Sequence, residues 1–230
     1  MIKADSYLIT ASDPKSIASE AYRSLRTSLQ FALNSKIKTM LVTSTVQGEG
    51  KTTTLVNLGV TLAQAGTRTL LIEADLRRPM FAQVFNLQGR KGLSHALTGE
   101  PLEHCIQDSG IGKLRVVTAG MIPPNPAELL GSGRMGEVVE AARKEADLVL
   151  IDSPPVLVVT DAVILSALTE SVLLVVRQGE TRKDALIDAV QKLRGAGANM
   201  IGVVMNNVTL SEGKSYYYSR YYRYESKVAQ

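Results

Sequence analysis

Tryptophan is absent from this chain, cysteine occurs once and histidine twice. A lone Cys105 cannot close an internal disulfide, so a disulfide-stapled scaffold is excluded and a reducing compartment is expected. Cys105 reads as a small packed hydrophobe. His95 and His104 read as loop residues, and no Cys/His spacing suggests a zinc site. Three phenylalanines leave the core to Leu, Val, Ile and Ala. No apolar run approaches the ~20 residues that cross a bilayer. Met1 to Asp5 lack the apolar core of a secretory signal, so the expected location is cytoplasmic. A net charge of +4 is too small to imply nucleic acid.

What is present is an alternation of apolar strands and amphipathic helices in 230 residues, a length that suits one α/β domain. Apolar residues at Ile17, Ala21, Leu25, Leu29 and Leu33 predict a helix over about 14–33, with Ser12 or Asp13 as its cap and Pro14 in its first turn. Strands are predicted at 39–44, 69–74, 114–118, 147–152, 171–177 and 200–205. Helices are predicted at 51–65, 134–145, 161–168 and 182–195. The strands are continuously apolar rather than alternating. Such strands are buried on both faces, as in a mostly parallel sheet with helices on both sides. The Gly- and Pro-rich stretch from Arg77 to Pro126 reads as loops with short helical pieces. The apolar pattern stops after Val208. Residues 1–210 are therefore expected to form the folded domain, and 211–230 a polar, mobile tail.

Between the first strand and its helix lies Gln47-Gly48-Glu49-Gly50-Lys51-Thr52-Thr53. A glycine-rich loop in that context turns backbone N–H groups toward phosphate oxygens, and the helix dipole favours the same anion. Lys51 can reach the β- and γ-phosphates of ATP, and the Thr52 hydroxyl can ligate Mg²⁺. The loop is a variant, because Thr45 stands where a strict match has glycine. Two further strands end in acids. Leu148 to Ile151 runs into Asp152, a Walker B arrangement suited to the Mg²⁺ shell. Leu70 to Ile72 runs into Glu73-Ala74-Asp75-Leu76-Arg77. Its two carboxylates, two residues apart, suit one metal ligand and one base for a hydroxyl proton.

Together these segments resemble the bacterial tyrosine kinases (BY-kinases) of capsular and extracellular polysaccharide synthesis. Ser44 to Thr52 resembles their Walker A loop and Leu70 to Pro79 their second acidic motif. Asp152-Ser153-Pro154-Pro155 resembles their Walker B. Six of the eight tyrosines resemble their C-terminal cluster: Tyr216, Tyr217, Tyr218, Tyr221, Tyr222 and Tyr224. One departure is Glu73, where the family usually has Asp; Asp75 matches and is the expected base, with Arg77 following it. The resemblance implies a P-loop fold, ATP and Mg²⁺ as cofactors, and phosphorylation of the tail tyrosines between subunits. It implies that Glu20, Arg23 and Arg26 join subunits into a ring, and that Asn206 lies at the nucleotide base. It also implies two partners: the cytoplasmic end of a transmembrane polysaccharide co-polymerase, which recruits and activates the kinase at the inner membrane face, and a phosphotyrosine phosphatase.

Two other functions fit parts of the pattern. Positioning ATPases of plasmids or the septum share the fold, but they carry a second lysine where this chain has Val46, and they lack a tyrosine cluster. A nucleotide-gated regulator without catalysis would tolerate Glu73. The tyrosine-rich tail, with Arg220 and Arg223 interleaved, also has the composition of a base-stacking RNA segment.

Overall fold

The computed structural model describes residues 7–32, 37–87 and 91–209. In chain order its elements are α1 (Ile9–Ser12), α2 (Ile17–Ala32), β1 (Thr39–Ser44), α3 (Lys51–Gln64), β2 (Thr69–Glu73), α4 (Phe81–Val84), α5 (Leu93–Leu97), a 3₁₀ turn (Leu102–His104), β3 (Gln107–Ile111), β4 (Leu114–Val117), α6 (Pro126–Leu130), α7 (Gly133–Glu145), β5 (Leu148–Asp152), α8 (Asp161–Ser166), β6 (Ser171–Arg177), α9 (Lys183–Gly195) and β7 (Met200–Asn206). The strands form one seven-stranded sheet in the order β3-β4-β2-β5-β1-β6-β7. Every pairing is parallel except β3 with β4.

The continuous apolar runs have a direct structural cause. Successive side chains of a strand point to opposite faces. Leu70 and Ile72 pack into one apolar layer, while Leu71 between them packs into the other. Leu41 and Val42 divide in the same way, as do Leu174 and Val175. Both layers are covered by helices, so alternation would have placed polar groups in a core. α3 is buried from Thr54 to Ala63, which is why it lacks a polar face.

β1 lies between β5 and β6; the chain runs from β1 to β2 on one side and later crosses from β5 past β1 to β6 and β7 on the other. A crevice opens at the carboxyl end of a strand where the order reverses in this way, and ligands of α/β sheets bind there. The loops after β1, β2 and β5 all converge on that edge.

Two expectations need correction. α2 begins at Ile17 rather than Pro14, because Ser16 is the capping residue: its hydroxyl accepts the Ser19 N–H at 3.2 Å. The residues ahead of it form the short helix α1, which is held to α3 by Asn57. Its amide oxygen accepts the Thr10 N–H and hydroxyl at 3.0 and 2.9 Å. β3 is a seventh strand within the stretch read as loops and helical pieces. It is an edge strand, paired on one side only and partly exposed throughout, so no apolar run marks it. Among the described residues, no helix is long and apolar enough to cross a membrane. The tyrosine cluster lies outside the described residues.

Candidate active site

The loop after β1 turns on Gly48 and Gly50, whose φ values of +89° and +88° lie in the left-handed region. Gly50 is doubly required, because a Cβ there would meet the Asn206 amide at 1.9 Å. Thr45 fits where a strict pattern has glycine because Glu49 holds it. The Glu49 carboxylate accepts the Thr45 N–H at 2.7 Å, the Thr45 hydroxyl at 2.6 Å and the Val46 N–H at 3.1 Å. It also accepts the Thr181 hydroxyl from the loop after β6. Glu49 is thus buried and turned away from the crevice. Its side chain braces the loop, and only its backbone remains for a ligand.

Lys51 opens α3 with its ammonium between two carboxylates. It lies 2.9 Å from Asp75 and 3.4 Å from Asp152. The Thr52 hydroxyl donates to Asp152 at 2.7 Å. Burial opposes the charge on Lys51, but Asp152 and Asp75 outweigh it and hold its pKa above the usual value. Burial pushes the Asp152 carboxyl up, against the lowering pull of Lys51 and Thr52. Lys51, Thr52 and Asp75 line a cavity of about 760 Å³ together with Gln47, Gly48, Gly50, Thr53 and Arg77, and Asp152 lies buried behind Lys51 and Thr52. Two oxygen donors, Thr52 and Asp152, lie side by side beside a phosphate-type loop. That pair fits a hard cation such as Mg²⁺, whose other ligands come from phosphate and water. No cluster of three or more His, Cys, Asp or Glu forms an all-protein metal cage among the described residues.

Arg77 reaches the cavity wall already fixed. Its guanidinium forks onto Asp161 at the start of α8, at 2.9 and 3.1 Å, and Asp161 is fully buried. Its charge is therefore held at the mouth of the site by a bidentate pair. Arg78 is the exposed neighbour, and its backbone N–H donates to Asp75 at 3.1 Å.

Glu73 does not stand where the sequence placed it. Its carboxylate points away from the crevice. One oxygen accepts the Met80 N–H and the Phe81 N–H, the latter at 2.6 Å, and the other accepts the Ala119 N–H at 2.9 Å. Burial pushes this carboxyl up to about 7, and the three backbone donors restrain the rise. The extra methylene over Asp carries the charge past the metal side and into the backbone of the next loop. Asn206 ends β7 beside the loop after β1. Its amide donates to the Glu49 carbonyl at 3.0 Å and rests against Gly50, outside the cavity wall. On α2, Glu20 pairs with Arg23 at 2.6 Å, whereas Arg26 turns inward to donate to the Thr61 carbonyl of α3 at 3.0 Å.

The sequence reading missed Tyr7, Arg177 and Val158 as parts of the cavity, which Pro154 and Pro155 of the Walker B segment also line. Arg177 was findable, since it ends β6 on the carboxyl edge; its guanidinium donates to the Gly48 carbonyl at 3.1 Å. Tyr7 was not, because its position depends on the Asn57 amide, which donates to the Tyr7 carbonyl at 2.6 Å.

A family model described as an AAA domain matches residues 37–199. The tyrosine-protein kinase YwqD of Bacillus subtilis is 40% identical over 213 residues, covering 92% of this chain and 90% of that one. Among solved structures, the kinase domain of the Escherichia coli tyrosine kinase ETK superposes with a TM-score of 0.86 at 36% identity, covering 89% of this chain and 81% of that one. The chimerical protein CapA2B2 superposes with a TM-score of 0.84 at 36% identity, covering 89% and 91%. A septum site-determining protein, MinD of Pyrococcus horikoshii, solved with Mg-ADP, reaches a TM-score of 0.65 at 21% identity, a likeness of fold alone.

Proposed function

This chain belongs to the bacterial tyrosine kinases of capsular and exopolysaccharide synthesis, and from that premise we propose that it transfers the γ-phosphoryl group of ATP to tyrosines of its own C-terminal cluster. The observation that carries the reading is the triad of Lys51, Asp75 and Asp152, with Lys51 within 2.9 and 3.4 Å of the two carboxylates, at the carboxyl end of the central strands.

Each residue has a distinct task. The loop backbone from Gln47 to Thr53 cradles the phosphates. Lys51 neutralises charge on the transferred group, and Thr52 with Asp152 would hold Mg²⁺. When bound, the ion supplies further charge neutralisation on the phosphates. A tyrosine hydroxyl, with a pKa near ~10, needs a base at neutral pH. Asp75 takes its proton as the phenolic oxygen bonds to the γ-phosphorus and the bond to the β-phosphate oxygen breaks, releasing ADP. While no phosphate is bound, Lys51 occupies Asp75. A polyphosphate competes for that ammonium and frees the base.

The folded kinase domain spans 1–210 in this reading, and 211–230 is the substrate. The acceptor tyrosines act between subunits of a ring in which α2 carries the contact through Glu20 and Arg23. The unmodified tail has four basic and two acidic residues, a net of +2. Each phosphate adds about −1.5 to −2, so two reverse its sign and expel it. A membrane-bound polysaccharide co-polymerase recruits and activates the chain, a phosphatase resets it, and Asn206 borders the base. Incubating purified protein with γ-labelled ATP, with and without an activator fragment, tests the proposal. Label on the tail supports it. Free phosphate without tail label indicates a positioning-type ATPase.

A further inference from the structure

Glu73 is the acidic residue of the site whose geometry matches no role assigned above. It ends β2 in register with Asp152 of β5. A short acid there would stand beside Asp152 on the phosphate side. The Glu73 carboxylate instead collects three backbone N–H groups: Met80 and Phe81 where α4 begins, and Ala119 just past β4. It is 1% exposed.

Those bonds close a loop. Residues 74–79 leave β2 at Glu73 and return to the Glu73 side chain at Met80. Inside the loop lie Asp75, Arg77 and Arg78. A second tie closes it further, as the Arg78 N–H donates to Asp75, and the other Asp75 oxygen meets Lys51. The Ala119 bond fastens the same carboxylate to the neighbouring strand. A carboxylate with both oxygens bonded to backbone donors has little capacity left for a cation, and charged acceptors of this kind are costly to disturb.

We propose that Glu73 is a positioning residue and not a metal ligand: it fixes the loop that presents Asp75, and leaves metal binding to Thr52 and Asp152. This rests on the tyrosine-kinase reading only for the rate measurement; the backbone brace stands or falls without it.

The test is Glu73→Gln, at mildly alkaline pH. The amide is isosteric and keeps an oxygen for Met80 and Phe81, so the fold is retained, but its NH₂ opposes the Ala119 N–H. The expected result has three parts. Hydrogen exchange of the Ala119 amide accelerates by about tenfold or more. The kcat for tail phosphorylation falls by about tenfold while KM for ATP stays within about twofold. The Mg²⁺ concentration giving half-maximal nucleotide binding also stays within about twofold. Glu73→Asp, one methylene too short for all three donors, accelerates Ala119 exchange as Glu73→Gln does. A tenfold weaker Mg²⁺ response with unchanged Ala119 exchange would make Glu73 a ligand and overturn the proposal, as would a kcat equal to wild type. If wild type leaves the tail unlabelled, the kinase reading fails, and the exchange and Mg²⁺ measurements still decide the role of Glu73.

Discussion

The loop after β1 and the loop after β2 are built from the same parts and behave as opposites. Each leaves a buried parallel strand, each leads into a helix, and each is braced by a buried glutamate that gathers backbone N–H groups. In the first loop the glutamate, Glu49, sits inside the turn and binds the turn to itself and to Thr181. A helix of fourteen residues, α3, then locks the loop's exit. In the second, Glu73 sits ahead of the turn and holds its far end, where a helix of only four residues follows. Arg77 and Arg78 are left exposed on it. In the proposed function the first loop is a fixed cradle for an anion, and the second is an arm pinned at its base that carries the proposed proton acceptor. Positioning dominates phosphoryl transfer, and the two loops divide that work.

Removing the group the arm carries is the strongest way to sharpen the contrast. Asp75→Asn should lower kcat by about 10²–10⁴-fold while ATP binding, measured by a fluorescent nucleotide, stays close to wild type. Loss of nucleotide binding to the same degree would place Asp75 in the cradle instead.

The brace of the arm should be visible in pH dependence. The folded Glu73 carboxyl keeps its proton to about pH 7, against 4.5 in its ordinary state. Between those values the folded chain binds more protons than the unfolded one, so this group's contribution to stability falls as pH rises. The fall reaches up to about 3 kcal/mol and levels off above pH 7. Chemical denaturation of wild type and Glu73→Gln across that window should show a flatter slope in the variant. Parallel slopes would remove Glu73 as the cause.

The cradle should break at its glycine. Gly50→Ala places a Cβ at φ +88° and within 1.9 Å of the Asn206 amide, and should cost about 1–3 kcal/mol. Asn206→Ala in the same background should recover part of that loss in thermal melts. No recovery would mean backbone strain alone is responsible. The smallest effect expected is at the tie to the loop after β6. Thr181→Val removes one hydroxyl from the Glu49 carboxylate and should lower stability by about 1 kcal/mol, with Glu49→Gln costing more in the same assay.

Much of this was legible in the chain. The buried parallel strands declared themselves by unbroken apolar runs, because burial on two faces leaves no alternation to misread. The order strand, glycines, Lys51-Thr52, helix fixed the phosphate loop for the same reason that it works: each part has one geometry. One edge strand was harder. β3, paired on one side and partly exposed, has the composition of a loop. Glu73 was read toward the metal because a carboxylate near a phosphate loop carries the same sequence signal whether it faces the ligand or the backbone. Arg26 was read with Glu20 and Arg23 from the family resemblance, and only packing against Thr61 separates it. Contacts across long separations, such as Asn57 to Tyr7 or Arg77 to Asp161, leave no local trace at all.

The most direct test of the central claim is phosphosite mapping by mass spectrometry after incubation with ATP and Mg²⁺, for wild type beside Lys51→Met, each with an activator fragment. Phosphate on several residues among Tyr216, Tyr217, Tyr218, Tyr221, Tyr222 and Tyr224 in wild type, and none in Lys51→Met alone, is the predicted result. An unmodified cluster in wild type, or equal modification in both proteins, would contradict it.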